Sequence, residues 1–210
     1  MIGVFEYESS GKRKEVKSFV LLSASPRRQE LLRFLDPEVR AIAIDERKIE
    51  ETFMAHYAKD EFLVRAAKTC CEISKAKSSG PLEEGKLYIS ADTMVILGEE
   101  VYNKPRDLED AKRMLRSYFG RSQHVVTSVC LRMEDYLEVF YSVAQIDFVA
   151  YYPALEEAIE AYVEEKRPLD KSGAYGIQEL DPRFVKQVLG DIYTIIGLPV
   201  AEIASRLFGK

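Results

Sequence analysis

Tryptophan is absent from the 210 residues, histidine occurs only at His56 and His124, and cysteine only at Cys70, Cys71 and Cys130. An odd number of cysteines, two of them adjacent, does not make a disulfide framework. There is no CxxC pair, and the two histidines stand alone, so the usual zinc spacings are missing. No apolar run approaches the length of a membrane span. The opening Met1-Ile2-Gly3-Val4-Phe5-Glu6-Tyr7-Glu8 lacks a signal-peptide pattern. A basic excess is missing too: 30 Lys and Arg face 35 Asp and Glu, for a net charge of −5. General attraction to nucleic acid or to anionic lipid is therefore not expected, and phosphate binding has to come from local basic clusters. What remains is the expectation of a soluble, reduced, cytoplasmic protein.

The hydrophobic share of 47% suffices for one sizeable core, or for two lobes sharing a sheet. Residues 1–18 are polar and read as an added arm or a short edge element, an N-terminal extension to a single domain over 19–210. Phe19-Val20-Leu21-Leu22 reads as a buried strand, followed by a helix from Pro26 to Leu35 that Asp36-Pro37 stops. Val39 to Ile44 alternates like a second strand and runs into charged Asp45-Glu46-Arg47-Lys48. Phe53 to Lys77 reads as one helix, with Leu63, Ala66, Ala67, Cys70, Cys71 and Ser74 on one face. Leu87–Leu97 is the clearest strand. Asp107 caps a helix closed by Gly120. His124–Met133 and Tyr136–Ala150 read as long strands. Pro153 opens another helix, and Val200–Leu207 is a last short one. Helices alternating with strands, plus the long hairpin, predict an α/β fold with a mixed sheet.

Four segments carry candidate chemistry. In Ser23-Ala24-Ser25-Pro26-Arg27-Arg28, Ser25 suits an N-cap and Pro26 the first helical position. A helix N-terminus with two arginines behind it predicts an anion site, most plausibly for phosphate. A solvated basic first turn is the plainer alternative, although arginine there opposes the helix dipole. Ser90-Ala91-Asp92-Thr93-Met94 sets a carboxylate inside an apolar strand, either satisfied by a partner or functional. Lys104 lies in a turn before a helix, where an exposed loop lysine is the ordinary reading. Asp170-Lys171-Ser172-Gly173-Ala174-Tyr175-Gly176-Ile177-Gln178 has glycines that let backbone approach a ligand. Gly80-Pro81-Leu82-Glu83-Glu84-Gly85-Lys86-Leu87 nearly matches a P-loop, but the hydroxyl position is Leu87 and a strand follows, not a helix. His124 reads as structural, Cys70-Cys71 as core, and Tyr151-Tyr152 as packing or interface.

Together these segments resemble the Maf family of nucleoside triphosphate pyrophosphatases. The run Ser23-x-Ser25-Pro26-Arg27-Arg28-x-Glu30-Leu31-Leu32 is followed by Ala91-Asp92-Thr93, Lys104-Pro105, Asp170 to Gln178, Gly190-Asp191-x-Tyr193 and Gly197-Leu198-Pro199. The order matches from about Phe19 onward. The resemblance implies an elongated mixed α/β fold similar to inosine-triphosphate pyrophosphatases, with two lobes around a cleft. It implies hydrolysis of a nucleoside triphosphate to the monophosphate and pyrophosphate, with a divalent cation, Mg²⁺ or Mn²⁺, as cofactor. Members often form a homodimer, and some have been linked to septum formation, so a nucleotide-binding regulator with little catalysis is the second expectation.

The roles it implies are these. Asp92 is the general base. Ser23, Arg27, Arg28, Lys75, Thr93, Lys104, Lys171 and Gln178 bind substrate. Lys68, in Arg65-Ala66-Ala67-Lys68, competes with Lys75 for the lysine role on the middle helix. Glu46, with Asp45 as the alternative, joins Asp92 near the metal. Arg27, Thr93 and Gln178 match the dTTP/UTP-cleaving subgroup. Ser172 and Glu179 depart from the family's usual Ala and Gly, and Glu179 adds a charge beside the expected base pocket.

Overall fold

The computed structural model describes residues 1–209; Lys210, the end of the expected domain, lies outside the described residues. In these residues eight strands form one mixed sheet: β1 (Gly3–Gly11), β2 (Ser18–Leu21), β3 (Glu38–Val39), β4 (Lys86–Leu97), β5 (Glu100–Val101), β6 (Ser122–Met133), β7 (Tyr136–Phe148) and β8 (Val185–Leu189). The order is β1-β7-β6-β4-β2-β3, with β5 on β4 and β8 on β7. Only the β3-β2-β4 corner is parallel; every other pairing is antiparallel. Among the described residues seven helices flank the sheet: α1 (Pro26–Leu31), α2 (Glu46–His56), α3 (Phe62–Lys77), α4 (Leu108–Tyr118), α5 (Leu155–Lys166), α6 (Ile192–Ile196) and α7 (Val200–Phe208). The mixed α/β architecture expected from the alternation of elements is present, and among the described residues no helix is long and apolar enough to cross a membrane.

Strand alternation explains where a site can form. On one face of β4, Leu87, Ile89 and Ala91 pack with Leu198, Ile203 and Leu207 near α7. Further along the same face, Val95 and Leu97 join a separate cluster built with α4 and α5. Thr93 falls between the two clusters. The opposite face carries Met94 and Ile96 against Ala66, Cys70 and Ile73 of α3, and Asp92 points to that side by the two-residue period. Beyond Leu22, whose N–H reaches the Ile89 carbonyl at 2.8 Å, the chain leaves the sheet for α1. The β4 edge after Ile89 therefore has no neighbouring strand until β5 pairs at Ile96.

Several local expectations are corrected. The helix from Pro26 is six residues long and passes into a 3₁₀ turn, Arg33–Leu35. Val39–Ile44 is not a strand: only Glu38–Val39 pairs, and Ile42 is exposed. The charged run Asp45–Lys48 opens α2, because the Asp45 carboxylate caps it, accepting from Lys48 N–H at 3.0 Å. The single helix expected from Phe53 to Lys77 is thus two, broken at Tyr57–Glu61. Helix α2 has no buried residue and packs through half-buried Ile49 and Met54. Strand β8 and helix α6 have no counterpart among the expected elements; each spans five residues.

Residues of the expected arm form β1, an edge strand on β7. Phe5 stacks on Tyr141, and Tyr7 donates to Glu72 on α3. Glu6 pairs with Arg206 of α7, so the first strand is also clasped to the last helix.

Candidate active site

A cleft of about 420 Å³ opens where β4 loses its neighbour, lined by the Ser23–Arg28 turn, β4, the Lys104 turn, the Asp170–Gln178 loop and α6. It brings together Ser23, Arg27, Arg28, Glu46, Asp92, Thr93, Lys104, Lys171 and Gln178. Five cationic side chains (Arg27, Arg28, Lys77, Lys104, Lys171) face three carboxylates (Glu46, Asp92, Asp170), so the cleft is locally positive in a net acidic chain.

The unpaired edge of β4 is satisfied by side chains. The Ala91 carbonyl, on the side that β2 has left, accepts from Arg28 Nη1 at 2.8 Å and from Lys77 Nζ at 3.3 Å. Arg28 also donates from Nε to Gly197 O at 3.0 Å and from Nη2 to Thr93 Oγ1 at 2.9 Å. Gly197, at φ 130°, ends α6 in a conformation that favours glycine and aims its carbonyl at Arg28. Burial pulls the Arg28 guanidinium pKa down, and the nearby Asp92 opposes that shift. Three of its five N–H groups are committed to protein acceptors, so Arg28 is first a strut joining α1, β4 and α6.

Thr93 is committed as well. Thr127 Oγ1 donates to Thr194 O at 2.7 Å, so Thr93 must donate to Thr127 at 2.9 Å while accepting from Arg28. Its hydroxyl is part of the floor, with no donor left for a base. Ser23 Oγ accepts from Ser25 N–H at 3.2 Å and shapes the turn, which Ser25 caps by a long contact of 3.5 Å to Arg28 N–H. With α1 so short, the positive charge at this wall comes from side chains more than from a helix dipole.

Asp92 is buried, with Oδ1 accepting from Lys77 Nζ at 2.8 Å and Oδ2 facing the Cys70 thiol at 3.6 Å. Burial alone would raise its pKa. Lys77 and Arg28 overcome that and hold the carboxyl below the usual carboxylate range. The carboxylate is therefore ionised and oriented at neutral pH. Cys70, read as core, is core and also touches this group.

The lysine expected at position 75 is elsewhere. Lys75 Nζ pairs with Glu8 of β1 at 2.6 Å and with Glu72 at 3.4 Å, outside the cleft. Lys68, its competitor, pairs with Asp60 at 2.8 Å. The lysine in the cleft is Lys77. Two residues along a helix turn the side chain by about 200°, which puts Lys75 and Lys77 on opposite faces. The spacing Cys70, Ser74, Lys77 continues the buried face and is the signal that identifies it. Lys75→Met is accordingly expected to leave nucleotide KM unchanged while costing about 1 kcal/mol of stability, as measured by urea unfolding; a severalfold rise in KM would return Lys75 to the site.

Between the two acidic alternatives, Asp45 is spent as the cap of α2, and Glu46 faces the cleft, 3.0 Å from Lys77 Nζ. Glu50, one turn further on α2, is not among the expected residues. It is half-buried, burial and the nearby Asp92 raise its pKa, and the Asn103 amide donates to it at 3.3 Å. The i, i+4 spacing from Glu46 is the available signal.

The remaining wall is the Asp170–Gln178 loop. Gly173 at φ 74° lies so close to β4 that a Cβ there would stand 2.9 Å from Val95 Cγ1. Gly173 N–H donates to Asn103 O at 3.2 Å and its carbonyl accepts from the Tyr118 hydroxyl at 2.8 Å. These bonds set the Lys104 turn beside this loop. Lys104 is exposed, and no ion pair holds it among the described residues. Lys171 is buried and already paired with Asp170 at 3.0 Å and Glu179 at 3.6 Å. Arg27 lies 3.7 Å from Asp170. Gln178 is exposed at the rim, with Ile177 and Tyr175 beside it.

A family model described as Maf-like protein matches residues 18–209, so the first strand lies outside the match. Among curated relatives, a protein of Bacillus velezensis named dTTP/UTP pyrophosphatase is 37% identical over 191 residues, covering 91% of this chain and 95% of the relative. Proteins of the same name from Bacillus cytotoxicus and Bacillus mycoides are 32% and 31% identical, with the same coverage of both chains.

Proposed function

The chain belongs to the family of Maf-like proteins, and from that premise we propose that it hydrolyses dTTP and UTP to the nucleoside monophosphate and pyrophosphate. The observation that carries this reading is the Asp92 carboxylate, bonded to Lys77, on the floor of a cation-lined cleft. A triphosphate brings close to four negative charges, which Arg27, Lys77, Lys104 and Lys171 are placed to meet. Those charges count for more as negative charge moves onto the leaving pyrophosphate. Asp92, beside the Cys70 thiol on the cleft floor, takes the proton from the water that attacks phosphorus. Gln178 offers both a donor and an acceptor at the rim, which suits the edge of a pyrimidine ring.

Glu46 and Asp92 suit a divalent cation as well. Mg²⁺ and Mn²⁺ are commonly held by one or two carboxylates plus substrate phosphates and water. Two carboxylates aimed at one point fit that donor set, and the described residues hold no third acidic, histidine or cysteine ligand close enough to complete a cage. When bound, such an ion supplies charge neutralisation at the phosphates and a lower water pKa. The three unpaired, buried cysteines support a cytoplasmic setting. The exposed Leu189, Ile192 and Tyr193 support a second copy of the chain as partner.

The test is pyrophosphate release from a panel of nucleoside triphosphates with Mg²⁺ or Mn²⁺. Release from dTTP and UTP at least about tenfold faster, in kcat/KM, than from purine nucleotides is expected. Binding with no release from any of them would replace this reading with that of a nucleotide-binding regulator.

A further inference from the structure

One ammonium does three jobs in the cleft. Lys77 Nζ lies 2.8 Å from Asp92 Oδ1, 3.0 Å from Glu46 Oε1 and 3.3 Å from the Ala91 carbonyl. Asp92 comes from β4 and Glu46 from the first turn of α2, a helix with no buried residue of its own. The ammonium therefore bridges two separate elements. The carboxylates it bridges are those suited to a divalent cation.

We propose that Lys77 stands in for the divalent cation in the free chain, and that its ammonium must leave Glu46 and Asp92 before an ion can occupy them. This rests on the reading of the cleft as a metal–nucleotide site. An ion of the Mg²⁺ class takes its oxygens at about 2.1 Å. The ammonium holds the same oxygens at 2.8 and 3.0 Å, so the two cations claim one position. Both together would also place three positive charges beside two carboxylates, with Lys77 and Asp92 buried and only Glu46 open to solvent, where repulsion is less screened than in water. The described residues provide no third ligand to tip the exchange toward the ion. The triphosphate does so from both directions. Its oxygens complete the ion's shell, and they offer the displaced ammonium a new anionic partner. Metal and nucleotide consequently enter together, and the free chain resists metal.

The experiment is Mn²⁺ binding to nucleotide-free protein, followed by calorimetry and by the loss of the free-ion paramagnetic signal. Wild type, Lys77→Gln, Lys77→Met and the double variant Lys77→Gln/Glu46→Gln are compared. The glutamine variant retains an amide donor for Asp92, so it carries the test if the methionine variant does not fold. Mn²⁺ binding at least about tenfold tighter in Lys77→Gln than in wild type, lost again in the double variant, is the expected result. Equal affinity in wild type and Lys77→Gln overturns the inference, as does a gain that survives Glu46→Gln. The pyrophosphate-release panel on wild type keeps the two readings apart. Release without the affinity gain removes the exchange and keeps the reaction, and the gain without release does the reverse.

Discussion

Asp92→Asn is expected to lower kcat about 10³-fold at saturating metal, the range for removal of a general base, while nucleotide affinity measured without metal stays within about threefold of wild type. That loss corresponds to about 4 kcal/mol of transition-state stabilisation. The amide has nearly the volume of the carboxylate, so the contact with Cys70 is kept. It cannot take a proton from water, and it leaves Lys77 with Glu46 as its one anionic partner. Because the side-chain cations that meet the triphosphate are untouched, binding of the nucleotide without metal is kept, and the loss of the base shows in kcat at saturating metal. Steady-state pyrophosphate release together with equilibrium binding of dTTP measures both. Turnover within tenfold of wild type would remove Asp92 as the base.

Arg28→Lys is expected to abolish activity and to cost about 2–4 kcal/mol of stability, despite conserving the charge; the figure follows from the bonds it breaks. The guanidinium spans acceptors on three elements, Gly197 O, Ala91 O and Thr93 Oγ1. An ammonium on a shorter reach cannot serve all three. The stranded carbonyls lose partners in a partly enclosed place, where each unmet group costs about 1–3 kcal/mol and the costs do not simply add. The activity loss follows from position: without the strut, the Ser23–Arg28 turn and α6 are no longer fixed against β4, and both are walls of the cleft. Urea unfolding of the variant beside wild type, at a common m-value, measures the first effect. A variant with wild-type stability and wild-type turnover would show that the three bonds are dispensable.

The strong signals in the sequence are periodic, and for that reason most of the fold is legible from it. Strand β4 and the β6–β7 hairpin are rich in β-branched and aromatic residues, and the caps at Ser25 and Asp107 are local chemistry that needs no tertiary context. Helix α2 is illegible at its start for a different reason: its first turn, Glu46-Arg47-Lys48, is wholly charged, and none of its residues is fully buried. Strand β8 escapes notice because its exposed positions, Lys186 and Gln187 among them, leave little alternation to read.

In the site, the resemblance locates β4 and the two loops by their order along the chain. It does not assign the lysine, because the choice between Lys75 and Lys77 depends on which face of α3 looks at Asp92. That is a matter of helix phase. Nor does it separate a side chain that touches substrate from one that holds the frame. Arg28 and Thr93 sit inside the motifs, yet their bonds run into the protein.

The gap beside β4 has one more consequence. An apolar strand with a free edge is a template onto which another chain can add its backbone, and on β4 that edge runs from Ser90 to Met94, before Tyr102 N–H takes the Val95 carbonyl and β5 takes Ile96. The first acceptor such an intruder would meet on that edge is the Ala91 carbonyl, and Arg28 and Lys77 already occupy it. The two cations on the cleft floor thereby fill the place of the missing strand, and a chain that loses both leaves that carbonyl open to the backbone of a neighbour.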